Sequence, residues 1–153
     1  IILAVYFINT PKQTVSYKKS MLTDNISSFE TAEKTAMALY EDGNEDGVWL
    51  FTVDTDANNL ACYNGYEHLL YPLTEEQKKA FVTVKSVFRL DHLGFECLYV
   101  NENFATFGIA NGRASFIYSK SNQKPDFVNL AEITDKNRVY VEKITDNWFY
   151  ACK

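Results

Sequence analysis

The chain has 153 residues, 46% hydrophobic and 23% charged, with six Gly and three Pro; this excludes disordered and fibrous classes and suffices for one domain whose core needs no metal or disulfide. Its net charge is −5 and its pI near 5.0, and Lys and Arg are dispersed apart from short pairs such as Lys18 with Lys19 and Lys78 with Lys79. A phosphate-backbone binder needs a concentrated basic stripe, so no nucleic acid is expected as a partner, and a basic protein surface suits this acidic chain better.

Ile1 to Ile8 is an eight-residue apolar run, far short of the roughly 20 residues that cross a bilayer. It reads either as a first buried strand or as the remnant of an N-terminal signal or membrane anchor. The first helix is expected near Ser27 to Tyr40: Ser27 with Glu30 has the spacing of a capping box, and Phe29, Ala32, Ala36, Leu39 and Tyr40 share a face. Gly43 is its expected stop. Val48 to Val53 reads as a strand, and the turn residues Asp56 to Asn59 lead to a second, Leu60 to Tyr63.

A second helix is expected from Thr74 to Leu90: Thr74 and Gln77 make another capping box after Pro72, and Phe81, Val84, Val87 and Phe88 form the apolar stripe. Beyond Gly94 the pattern turns to strands: Phe95 to Val100, Phe104 to Ile109, Arg113 to Ser119, Arg138 to Ile144 and Trp148 to Cys152. Short turns at Asn101 to Asn103, Asn111-Gly112 and Asp146-Asn147 imply antiparallel neighbours. The expected fold is α+β, one curved antiparallel sheet with two helices packed on one face, in a single domain spanning residues 1–153.

The residues that usually carry chemistry are few. Cys62, Cys97 and Cys152 lie far apart with no Cys-x-x-Cys pair, which argues against a zinc knuckle or a redox motif and suits small buried hydrophobes. Asp42, Asn44 and Asp46, followed by Gly47, resemble the start of a calcium loop, but its twelfth position is Val53 rather than a bidentate Glu. A solvated turn that binds no calcium tightly is expected there. His68 and His92 are the only histidines; they could serve as acid and base, yet nothing in the sequence brings them together, and His92 suits the C-terminal end of a helix dipole. No nucleophile elbow, phosphate loop or zinc-helix motif is present, and no cofactor is called for. Asn25-Ile26-Ser27 is a formal glycosylation sequon whose Ser already has a role as a helix cap.

Against that sparse chemistry stand eleven Phe, ten Tyr and two Trp concentrated in the strands. Helices on one sheet face leave the other face open. Strand alternation puts Tyr140, Glu142 and Ile144 on one side of their strand, and Trp148 and Tyr150 together on one side of theirs. Tyr and Trp on an open sheet face are the residue types that anchor protein interfaces, so Tyr140, Glu142, Trp148 and Tyr150 are the expected partner-binding set; the competing reading is that these aromatics fill the core or lie under long loops.

The run Ala80-Phe81 through Leu93-Gly94-Phe95-Glu96-Cys97-Leu98-Tyr99-Val100, then Gly112-Arg113-Ala114-Ser115-Phe116-Ile117-Tyr118-Ser119, Lys124-Pro125 and Trp148-Phe149-Tyr150, resembles small uncharacterised proteins of Gram-positive bacteria, often tethered outside the membrane by an N-terminal segment. The resemblance covers about the last half of the chain. It implies an extracytoplasmic, membrane-anchored location, with a cytoplasmic one as the alternative, favours the anchor reading of Ile1 to Ile8, and carries over no functional residue. The expected function is a non-catalytic protein-binding domain, an immunity or inhibitor protein that neutralises a toxin by occluding its surface. The alternatives are a small hydrolase or nuclease using His68 or His92, and a structural or ligand-binding envelope protein.

Overall fold

The computed structural model describes residues 19–41, 48–52, 58–63, 68–89, 95–109, 114–125 and 140–152. A short helix, α1, occupies residues 19–23 and buries Met21 and Leu22. After a two-residue turn the chain enters α2 (Ile26–Glu41). The first carbonyl of α2 belongs to Asn25, which accepts from the N–H groups of Ser28 and Phe29. The helix therefore starts before Ser27, and the expected Ser27–Glu30 box is not its boundary, because α1 delivers the chain already wound. Phe29, Ala32, Ala36 and Met37 give α2 its buried face.

Strands β1 (Val48–Thr52), β2 (Asn59–Tyr63) and β3 (His68–Pro72) follow as a meander. The capping box expected before the next helix is formed: Thr74 N–H donates to Gln77 Oε1 at 2.9 Å, and Gln77 N–H donates to Thr74 Oγ1 at 3.3 Å. It opens α3 (Glu75–Arg89), whose first turn carries Glu75 and Glu76 against the positive end of the dipole. Phe81, Val84, Val87 and Phe88 are all buried, as their spacing predicts.

The remaining strands are β4 (Phe95–Val100), β5 (Phe104–Ile109), β6 (Ala114–Ser119), β7 (Tyr140–Thr145) and β8 (Trp148–Cys152). All eight form one antiparallel sheet in the order β3-β2-β1-β4-β5-β6-β8-β7. Each long helix precedes a three-strand meander, and the two meanders meet where β1 pairs with β4. Register carries a row of apolar side chains across the face beneath the helices: Cys62, Leu50, Leu98, Phe107, Phe116 and Tyr150. These join Phe29 of α2 and Phe81 and Phe88 of α3 in the principal core. The α+β class, with helices and an antiparallel sheet, is the expected one.

The opposite face departs from expectation. On β6 and β8, Ile117, Phe149 and Ala151 form a second buried cluster joined by Phe104 and Val141. Ser115 and Ser119 flank Ile117 there, with buried hydroxyls that lack a hydrogen-bond partner. This part of the helix-free face is core, not open surface.

Side chains of Asn residues close the turns. Asn101 Oδ1 accepts from the N–H groups of Asn103 and Phe104 at 3.0 and 2.9 Å, tying the β4–β5 connection. Asn147, between β7 and β8, takes a left-handed φ of 65°. Its Nδ2 donates to Ser119 O at 2.7 Å and its N–H donates to Asn122 Oδ1 at 2.8 Å. Replacing Asn147 by Ala should cost about 2 kcal/mol, because alanine tolerates the left-handed region less well than asparagine and the side-chain hydrogen bond is lost. Replacing it by Gly should cost measurably less in the same urea titration, because only the side-chain bond is lost; equal losses would mean that the backbone conformation contributes nothing.

Candidate functional site

Among the described residues β7 ends the sheet at one side, and Tyr140 on it is the best-exposed member of the expected binding set. Tyr140 is 50% exposed. Its hydroxyl donates to Glu142 Oε2 at 3.0 Å, and the other carboxylate oxygen pairs with Lys19 Nζ from α1. The hydrogen bond to Lys19 is the chief reason the Glu142 carboxyl is held below its ordinary pKa, and the bond from Tyr140 adds to it. Tyr140, in turn, is pushed up mainly by its bond to that carboxylate. Glu142 is thus ionised and neutralised by Lys19. It orients the Tyr140 ring more than it projects charge. Along the strand, Lys143 Nζ lies 3.3 Å from Asp146 Oδ1.

Trp148 and Tyr150 sit elsewhere. They are 2% and 3% exposed, in the principal core. The Trp148 ring lies 5.9 Å from that of Phe29, 5.7 Å from Phe107 and 5.4 Å from Tyr118, and Tyr150 lies 5.8 Å from Phe116. Neither can meet a partner in the folded chain, which corrects the expectation that they lie on an open face. The cause is strand order: β8 lies inside the sheet between β6 and β7, so α2 reaches its side chains, whereas Tyr140 lies one strand further out. The structure therefore keeps Tyr140 and Glu142 together at the rim and removes Trp148 and Tyr150 from the surface.

The other expected candidates contribute no described chemistry. Cys62 and Cys152 are free thiols, and burial pushes both thiol pKa values up, which keeps them protonated and weakly nucleophilic. Among the described residues no group of three or more His, Cys, Asp or Glu could hold a metal ion, and no helix is long and apolar enough to cross a membrane. Ile1 to Ile8, Asp42, Asn44, Asp46 and His92, and the side chains of His68 and Cys97, lie outside the described residues.

Sequence reading missed two participants. Lys19 was visible only as half of a lysine pair. Glu33 is 5% exposed on the buried face of α2; it stands four residues after Phe29 and four before Met37, a helical spacing that marks it as inward-facing. Burial pushes its carboxyl up to about 7, with Glu30 adding to the rise and Lys34 and Lys120 opposing it. Tyr118, on β6, is raised by its own burial and by the nearby charge of Glu33. No protein-family model, curated protein or solved structure matches the chain.

Proposed function

We propose that the chain is a non-catalytic protein-binding domain, an immunity-type inhibitor that neutralises a toxin by covering its surface. The observation that carries this reading is the rim of β7, where a half-exposed Tyr140 is held in one orientation by an ionised Glu142 that Lys19 fixes in turn. An aromatic with a polar tip and restrained rotamers loses little entropy on docking and brings large apolar area to the contact. Protonated thiols and the acidic balance of the chain agree with a role in which no bond is made or broken.

The test is protection of cells that express secreted toxins, one per strain, together with this chain. The reading expects one toxin to be neutralised and to bind the purified chain directly. Tyr140→Ala should then weaken that complex by about 30-fold or more without lowering thermal stability. An affinity unchanged by that substitution would remove β7 from the interface.

A further inference from the structure

The opposite end of the sheet behaves differently from β7. Among the described residues strand β3 is terminal, and β2 alone pairs with it. Natural edge strands are protected by charges, prolines or bulges. β7 has all but the proline: Glu142, Lys143 and a register shift between Lys143 and Thr145. β3 reads His-Leu-Leu-Tyr-Pro: Pro72 is its one such device, it has no Lys, Arg, Asp or Glu, and it pairs with β2 through five residues in unbroken register. Leu69 is 45% exposed and Leu70 62%, and because successive side chains alternate, one leucine shows on each face of the sheet.

The ladder fixes which backbone groups face outward. Leu73 N–H donates to Asn58 O at 3.0 Å, so in the antiparallel alternation Tyr71 and Leu69 turn their N–H and C=O groups toward β2. His68, Leu70 and Pro72 turn theirs away. Pro72, which has no N–H, therefore occupies a position where none is needed for the fold.

We propose that β3 is the seam of a twofold dimer, in which β3 of a second copy of this chain lies antiparallel to it with Leu70 opposite Leu70. In that register the two Leu70 residues exchange both backbone bonds, and each His68 N–H donates to the Pro72 carbonyl across the seam. The proline offers only its carbonyl, so each of these outer pairs makes one bond and the His68 carbonyl opposite the proline nitrogen stays with water. Leu70 packs on its own copy on one face, and Leu69 stands opposite Tyr71 on the other. A second copy fits better than an unrelated partner because this set is self-complementary and brings no like charges together, although each chain carries −5. Two short strands bury less than the roughly 1,200 Å² of a standard interface, so dissociation in the range of about 0.1 to 1 mM is expected. The seam lies at the far end of the sheet from Tyr140 and leaves it available.

Sedimentation equilibrium of the full 153-residue chain, from about 10 µM to about 1 mM, tests this directly by spanning that range. The expected result is a monomer that becomes a dimer as concentration rises, with Leu70→Lys monomeric throughout and unchanged in melting temperature. Amide exchange at high concentration should slow at His68 and Leu70 and stay constant at Leu69 and Tyr71, which already bond to β2. A chain that stays monomeric throughout, or a dimer that Leu70→Lys leaves intact with His68 and Leu70 exchanging as before, would overturn the proposal. So would a monomeric chain whose His68 and Leu70 amides are protected only by an added extended peptide, since the edge would then serve another partner.

Discussion

Replacing Phe29 by Ala should lower the stability of the chain by about 3 to 5 kcal/mol, the range for removing a buried aromatic where the walls cannot collapse. Phe29 is fully buried and projects from α2 into a cage of rings. Its centroid lies 5.8 Å from Phe88, 5.3 Å from Phe107, 5.7 Å from Phe116 and 5.9 Å from Trp148, all with edge-to-face geometry. One side chain thus ties both long helices to three strands, β5, β6 and β8. Neighbours held by a sheet ladder and a second helix cannot close the gap. A domain with about 5 to 15 kcal/mol in total would lose a large part of its margin. The check is a urea titration in which the midpoint falls while the slope is retained; a loss below about 1 kcal/mol would mean that Phe29 does not link the layers.

Glu33→Gln should stabilise the chain, and the gain should depend on pH. An unfolded glutamate titrates near 4.5, whereas burial holds Glu33 up to about 7. Below pH 4.5 the carboxyl is neutral in both states and folding carries no ionisation cost. As pH rises toward 7 the unfolded chain releases its proton and the folded chain keeps it, so the parent protein loses stability across that window and retains the deficit above it. The full deficit corresponds to about 3 kcal/mol. The variant should therefore match the parent near pH 4 and exceed it by up to that amount at pH 8, less whatever the buried amide costs. Glu30 and Lys34 on α2, and Tyr118 and Lys120 facing it from β6 and just beyond, set the local field. The measurement is the difference in unfolding free energy between the two proteins from pH 4 to 8. A flat difference would show that Glu33 ionises as freely in the fold as outside it.

The parts of this fold that local chemistry determines were legible in the sequence. Thr74 and Gln77 announce α3 because the box is a short-range pairing, and Phe81, Val84 and Phe88 announce its buried side because spacing alone sets the face. The turn at Asn101 to Asn103 was equally plain, since one side chain makes it. Strand β3 was not, because Pro72 within a short apolar run reads as a break unless the strand is known to be an edge. The larger error has the same root. Alternation rightly grouped Trp148 with Tyr150 and Tyr140 with Glu142, and register joins the two groups on one face, where Glu142 pairs with Tyr150. Which of those strands is terminal depends on β8 inserting beside β6, a long-range pairing with no local signature.

On the proposed function, this chain occupies a partner's surface and transfers no proton. The most direct test is the His68→Ala, His92→Ala double variant, measured for toxin neutralisation beside the parent and with folding verified by circular dichroism. Full protection and an unchanged dissociation constant are expected. A variant that folds normally and binds the toxin but no longer protects would contradict that reading and make the chain an enzyme.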